Sequence, residues 1–254
     1  MTSLRTEGIT KEFPGVLALD HVDFELAKGE IHAVVGENGA GKSTLVKVLA
    51  GVYRPTSGTI FVNEKALSFA SPRDASAYIG VVHQERELVP FYSGTSNLFL
   101  GQEINKLGFL SKPAMKAKAV EFMKKYGLDL DMDSPVSHLG SGMQEMLTIL
   151  KILFRSPEIV IFDEPTAPLS IKECEILFRL IRDLRDAGTS IIYISHHLPE
   201  VLELADRVTV LRNGKKVATV DAKSVDEAEI IKLMIAKDLD QQYPKTALEP
   251  ETEV

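Results

Sequence analysis

The chain has no tryptophan, a single cysteine, and no apolar run approaching the roughly 20 residues that span a bilayer. Each absence removes a class of protein. Cys174 cannot close an internal disulfide, so nothing covalent staples the fold, and a reducing compartment suits it. Its neighbours Ile171, Leu177, Ile181 and Leu184 recur at helical spacing, which reads the thiol as packing rather than chemistry. Basic excess is lacking as well. Lys and Arg total 29 against 36 Asp and Glu, a formal charge of -7, which argues against a protein that binds nucleic-acid backbones. From Met1 to Phe13 there is no apolar stretch of the secretory kind, so service at a membrane would be as a peripheral subunit. Repeats and low-complexity segments are absent too. What remains is an ordinary globular composition, 44% hydrophobic and 26% charged over 254 residues, enough for one substantial core.

Two β-patterned runs, Leu4 to Ile9 and Leu17 to Leu26, precede the apolar strand Ile31 to Val35, suggesting an antiparallel flap on a larger α/β core. The pattern then alternates. A helix is expected from Lys42 to Ala50, a strand over Thr59 to Val62, a short helix after Pro72, and a strand over Ile79 to His83. Between Gln84 and Leu139 helical patterns dominate, notably Pro113 to Tyr126, and strand signals are absent, so residues 85–157 are expected to form a helical insertion. The core resumes with apolar runs Ile159 to Phe162 and Ser190 to Ile194 around an amphipathic helix Ile171 to Ala187, which is the arithmetic of a parallel sheet. A hairpin is expected at Asn213-Gly214 and a last helix over Val225 to Ala236. The boundaries expected are 1–240 for the domain and 241–254 for an acidic linker or tail.

The chemistry starts at Gly36-Glu37-Asn38-Gly39-Ala40-Gly41-Lys42-Ser43-Thr44, which satisfies G-x-x-x-x-G-K-[ST] and lies after a strand and before a helix, as a phosphate-binding P-loop requires. Its glycines let successive N–H groups turn toward a phosphate, and the helix adds its positive end. Lys42 is expected to bridge the β- and γ-phosphates of ATP and the Ser43 hydroxyl to ligate Mg²⁺. The strand Ile159 to Phe162 ends in Asp163-Glu164, two carboxylates at a C-terminal strand edge, where open α/β sheets bind ligands. Asp163 is expected to hold Mg²⁺ through water, and Glu164 to act as the base that polarises the attacking water.

Gly36 to Thr44, Gln84, Leu139 to Gln144, Asp163-Glu164-Pro165-Thr166 and Ser195-His196 occur in the order and approximate spacing of the ATP-binding cassette (ABC) ATPases, a resemblance that runs through nearly the whole chain. It implies that Gln84 senses Mg²⁺ and the attacking water, that His196 contacts the γ-phosphate, and that Phe13 stacks on adenine. Phe13 in a flap is also a common packing residue. The resemblance leaves no role for His21, His32, His83, His138 and His197, which are read as core or surface residues.

The family's signature L-S-G-G-Q reads here as Leu139-Gly140-Ser141-Gly142-Met143 when counted back without gaps from Asp163; a shift of one would align Ser141, Gly142 and Gln144 with S-G-x-Q instead. In the family this segment, here Ser141 and Gly142, serves the ATP held by the other cassette of a sandwich dimer. Ser170 stands where many relatives place an aspartate. These departures, with Phe13-Pro14-Gly15-Val16 and Asp240-Gln241-Gln242-Tyr243-Pro244, are most similar to the N-terminal cassette of ribose/galactose-type monosaccharide importers. That likeness implies a second cassette, fused or separate, transmembrane permease subunits with a periplasmic or extracellular sugar-binding protein behind them, and a place at the cytoplasmic face of the membrane. The chain would then be one half of a longer polypeptide. A docking role for Leu88 to Gly101, through Val89, Phe91, Leu98 and Leu100, competes with ordinary packing. Other readings are a soluble ABC-family ATPase not coupled to transport, an importer of another small solute, and a P-loop kinase or GTPase. The first lacks a coiled-coil insertion or basic arm, and Gln84 and His196 argue against the last.

Overall fold

The computed structural model describes residues 2–82, 88–106, 108–128 and 131–235. An antiparallel sheet forms first in the chain. β1 (Thr2–Phe13) and β2 (Val16–Ala27) make a hairpin; Val22, Phe24 and Leu26 of β2 alternate into the core, and Leu4 and Ile9 of β1 are both buried across a bulge in the pairing between Thr6 and Ile9. β3 (Ile31–Val35) is buried on both faces, and α1 (Lys42–Leu49) follows it directly. β4 (Ser57–Val62) and β5 (Lys65–Leu67) complete the first sheet in the order β2-β1-β4-β5.

After α2 (Pro72–Ala75) and β6 (Ile79–Val82) the chain leaves the core. The excursion contains α3 (Gly94–Leu98), a small hairpin of β7 (Asn105–Lys106) and β8 (Phe109–Leu110), α4 (Lys112–Lys125) and α5 (Ser141–Leu153). The hairpin corrects the expectation of a segment without strands. Each strand has two residues, too few for a period-two pattern, and the turn depends on Gly108 at φ 84°. α4 buries Met115, Ala119 and Met123, one turn apart, and turns its lysines outward.

The core resumes with β9 (Ile159–Asp163), α6 (Ile171–Asp186), β10 (Ser190–Ile194), α7 (Leu198–Leu204), β11 (Arg207–Arg212), β12 (Lys215–Asp221) and α8 (Glu227–Ile235). α6 starts on a capping box, with Ser170 and Glu173 bonding each other's backbone, and buries Leu177, Leu180, Ile181 and Leu184 at helical spacing. The second sheet runs β12-β11-β3-β10-β9-β6, parallel except for β12. This is the α/β core with an antiparallel β flap and a helical excursion expected from the P-loop reading. Its consequence for the site is positional: β3, β10 and β9 are neighbours, so their C-terminal ends open on one edge.

At the opposite end of β3, His32 is buried against Phe24, its ring 4.6 Å away. Nε2 shares a 2.7 Å hydrogen bond with Thr209 Oγ1, while Nδ1 reaches Glu30 Oε1 only at 3.5 Å. Burial pushes the imidazole from its ordinary 6.5 down to about 4, outweighing the nearby Glu30 charge. An unfolded chain accepts a proton there below pH 6.5 and the folded one refuses it, so the contribution of His32 is complete above that pH and is lost as pH falls toward 4. Unfolding free energy is expected to fall by about 3 kcal/mol across that window on this account alone. Denaturant titrations at several pH values should show a flatter dependence in His32→Gln, which does not titrate; equal slopes would remove His32 as the cause.

Candidate functional site

The loop after β3 is shaped by close approach. A Cβ on Gly36 would lie 2.4 Å from the Leu211 carbonyl oxygen, and one on Gly41 would lie 2.8 Å from the Ala18 carbonyl oxygen, with Gly41 at φ 107°. Neither position accepts a side chain without moving backbone. The Asn213-Gly214 turn between β11 and β12 braces the loop from outside: Gly214 N donates to Ala40 O at 3.0 Å, and Asp20 N donates to Gly214 O at 2.8 Å. Sequence reading found that turn only as a hairpin.

Lys42 is 8% exposed, and its ammonium donates to Gly36 O at 2.7 Å and Glu37 O at 3.1 Å, folding the loop around its own cation. Burial pushes its pKa down, while Glu164 and Asp163 push it back up. A cavity of about 650 Å³ opens over these groups, lined by Asn38 to Thr44, Asp163 and Glu164, with Val16 to Ala18 and Asn213. Gly36, Asn38, Gly39, Ala40, Gly41, Lys42, Ser43 and Thr44 thus belong to one concave loop, and the two carboxylates of the β9 edge face it. The hydroxyl of exposed Ser43 and the carboxylate of Asp163 are hard oxygen donors on one cavity wall, a set that suits Mg²⁺ carried on phosphate.

Glu164 sits at φ 52°, a left-handed conformation uncommon for a residue with a side chain, and its N–H donates to Ile194 O at 2.9 Å. Its carboxylate lies 3.2 Å from His196 Nδ1, in the loop after β10. Residues 32 positions apart, expected to act on the same phosphate, are therefore in contact. Gln84 lies outside the described residues.

Phe13 does not line the cavity. It packs edge-on against Tyr53 with ring centroids 5.3 Å apart, and Lys11 stands 5.0 Å over its ring. The apolar side chains at the cavity mouth are Val16 and Leu17, 60% and 48% exposed, which an alternation rule would have turned inward or outward without assigning them a surface.

The signature segment opens α5, with Gly140 as the residue before the first turn. Ser141 is exposed and donates to Pro168 O at 3.4 Å. Gly142 is shut in, since a Cβ there would meet both Glu173 carboxylate oxygens at 2.3 Å. Gln144 donates its amide to Leu139 O at 2.8 Å and Val136 O at 3.2 Å, so it tethers its own loop. A Cβ on Gly140 would meet nothing within 4 Å, so the missing serine is not excluded by packing.

A glycine-shaped loop closing on a lysine, with a carboxylate pair on the strand one place beyond its neighbour, defines a P-loop nucleoside-triphosphate-binding protein. The chain belongs to the ABC transporter family, whose sequence model matches residues 19–167. It is 45% identical over 252 residues, 99% of its length, to a ribose import ATP-binding protein of Rubrobacter xylanophilus, and 44% identical over 93% of its length to a galactofuranose transporter ATP-binding protein of Escherichia coli K12. It covers 50% and 48% of those proteins, about half of each. Among solved structures, an ATP-binding cassette of an ABC transporter in its ADP conformation, MJ1267, superposes with a TM-score of 0.81 at 25% identity, covering 93% of this chain and all of that one.

Proposed function

We propose that this chain is the ATP-binding and ATP-hydrolysing half of a protein that drives import of a monosaccharide such as ribose. One observation carries the hydrolytic part: Lys42, at the start of α1 beyond β3, and Asp163 and Glu164, at the end of β9, line one cavity, and His196, just beyond β10, touches Glu164. Backbone N–H groups of residues 38–44 and Lys42 hold the phosphates, and Ser43 and Asp163 hold Mg²⁺, which neutralises phosphate charge when bound. Glu164 takes the proton of the attacking water as its oxygen bonds to the γ-phosphorus and the bond to the bridging oxygen breaks, releasing ADP and phosphate. His196 donates to a γ-phosphate oxygen. Phe13 or the Val16-Leu17 mouth packs on the base.

The transport part rests on the two sugar-importer relatives, each about twice this length. A second cassette would supply a signature segment to this ATP, as Ser141 and Gly142 would serve the other. Permease docking is supported by the surface after β6. Leu98 is buried, 2% exposed, and belongs to the core, but Phe91 is 85% exposed beside Tyr92, Lys112 and Lys116 on a cavity of about 630 Å³. Such an exposed aromatic tip, with Lys112 beside it and Lys116 paired to Asp133, suits a helix of a membrane partner. Among the described residues no helix is long and apolar enough to cross a membrane. A place at the cytoplasmic face of the membrane, as a peripheral subunit, goes with the importer reading. The test is uptake of labelled ribose and galactofuranose into vesicles holding the full-length protein and its permease, with ATP on the cassette side. ATP-dependent uptake of one sugar, lost in Glu164→Gln, is expected. Hydrolysis with neither a permease requirement nor solute uptake would favour an ABC ATPase uncoupled from transport.

A further inference from the structure

Behind the site, three hydroxyl groups from three segments converge on one oxygen. Glu200 Oε2 accepts from Tyr193 Oη at 2.9 Å, Thr166 Oγ1 at 3.0 Å and Ser195 Oγ at 3.2 Å. Tyr193 and Ser195 belong to β10 and the loop beyond it, Thr166 to the loop beyond β9, and Glu200 to α7. All three donors are buried, Tyr193 completely. Burial pushes the Tyr193 phenol well above its usual range, and the Glu200 charge beside it adds to the shift, so it stays a donor. Ser195 passes the restraint on, since its Oγ also accepts from His197 N at 3.0 Å.

Glu200 does not line the nucleotide cavity, and the hydrolytic scheme gives it no task. Its partners are placed where they matter. Thr166 comes two residues after Glu164, and Ser195 and His197 flank His196 on both sides. Glu164 keeps a left-handed backbone, φ 52°, which is strained for a residue with a side chain and persists only where its surroundings fix it. The side chains of Glu164 and His196 are 25% and 54% exposed, and the His196 ring lies 4.2 Å from that of His197, so their 3.2 Å approach follows from how the two loops are held, the His197 backbone included. The Ile194 carbonyl fixes the start of the Glu164 loop, and Glu200 fixes its continuation.

We propose that Glu200 is a positioning residue for hydrolysis, tying the loop after Glu164 to the loop that carries His196 so that base and histidine keep their mutual geometry. This rests on the reading of Glu164 as the base. A carboxylate oxygen is a pure acceptor suited to three donors; an amide oxygen at the same reach accepts them more weakly, and Asp falls one methylene short.

The test uses the full-length protein assembled with its permease and with its second cassette silenced, measuring kcat, KM for ATP and melting temperature. Glu200→Ala should lower kcat by about tenfold or more with KM within about twofold, the signature of an interaction lost in the transition state rather than in binding. Glu200→Gln should recover part of the loss and Glu200→Asp little. Thr166→Val and Ser195→Ala, which remove one arm each and disturb folding less, should each show a smaller fall in kcat, and combining Ser195→Ala with Glu200→Ala should cost less than the product of the two. Wild-type kcat in the Glu200, Thr166 and Ser195 variants, with Glu164→Gln inactive, overturns the positioning role and leaves the site reading intact. A fall in kcat that follows melting temperature, with no rescue by Gln, marks a structural role and also overturns it. Wild-type hydrolysis by Glu164→Gln overturns both.

Discussion

Replacing Lys42 with alanine should weaken Mg·ATP binding by roughly tenfold to a hundredfold, the 1.5–3 kcal/mol or so that one hydrogen bond to a charged group contributes. The ammonium is already inside the loop, buried and bonded to Gly36 O and Glu37 O, so its position is prepared before nucleotide arrives. Its pKa is pushed down by burial and supported by Asp163 and Glu164, so the charge that phosphate would meet is held by the site itself. Alanine removes that charge and leaves two carboxylates facing phosphate, which makes the loss larger for ATP than for a ligand with fewer phosphates. Calorimetric titration gives the dissociation constant. Unchanged affinity in a folded Lys42→Ala protein would take Lys42 out of the site.

Glu164→Gln should bind ATP normally and turn over about 10²–10⁴-fold more slowly, the range expected when a positioned general base is lost. Glutamine keeps the length and can still meet His196 Nδ1, which lies 3.2 Å from the present carboxylate, so the geometry of the two loops should survive. What it cannot do is accept the water's proton. The rate is to be measured in the assembled protein with the second cassette silenced. Wild-type turnover there would require another activator for the water.

The parts of this protein that could be read without a structure are those where chemistry repeats along the chain. The apolar runs of β3, β9 and β10 are buried on both faces, and such strands leave a continuous hydrophobic signal. The P-loop is legible because its glycines answer local demands, visible in the left-handed backbone of Gly39 and Gly41 at φ 83° and 107°. The amphipathic spacing of Leu177, Ile181 and Leu184 announces α6 in the same way. Contacts between distant segments leave no such trace. Nothing in the spacing of Thr166, Tyr193, Ser195 and Glu200 says that their oxygens meet, because the meeting depends on β9 and β10 being neighbours and α7 folding back. The β7–β8 hairpin is too short to have a period, and the packing of Phe13 on Tyr53 depends on the end of β1 meeting the segment between α1 and β4, which only the folded flap brings together. Burial of His32 follows from β3 being covered on both faces, but its unpaired Nδ1 is a matter of tenths of an ångström.

The central claim is that the loop of residues 36–44 holds the phosphates of ATP, and a phosphate series tests it most directly. Titrating the chain with Mg·ATP, Mg·ADP and AMP should give one site per chain, with ATP and ADP bound and AMP far weaker, because the loop's N–H groups and Lys42 are built for phosphates that AMP lacks. In Lys42→Ala the gap between ATP and AMP should shrink. Equal affinity for all three nucleotides, or a gap that Lys42→Ala leaves unchanged, would contradict the account.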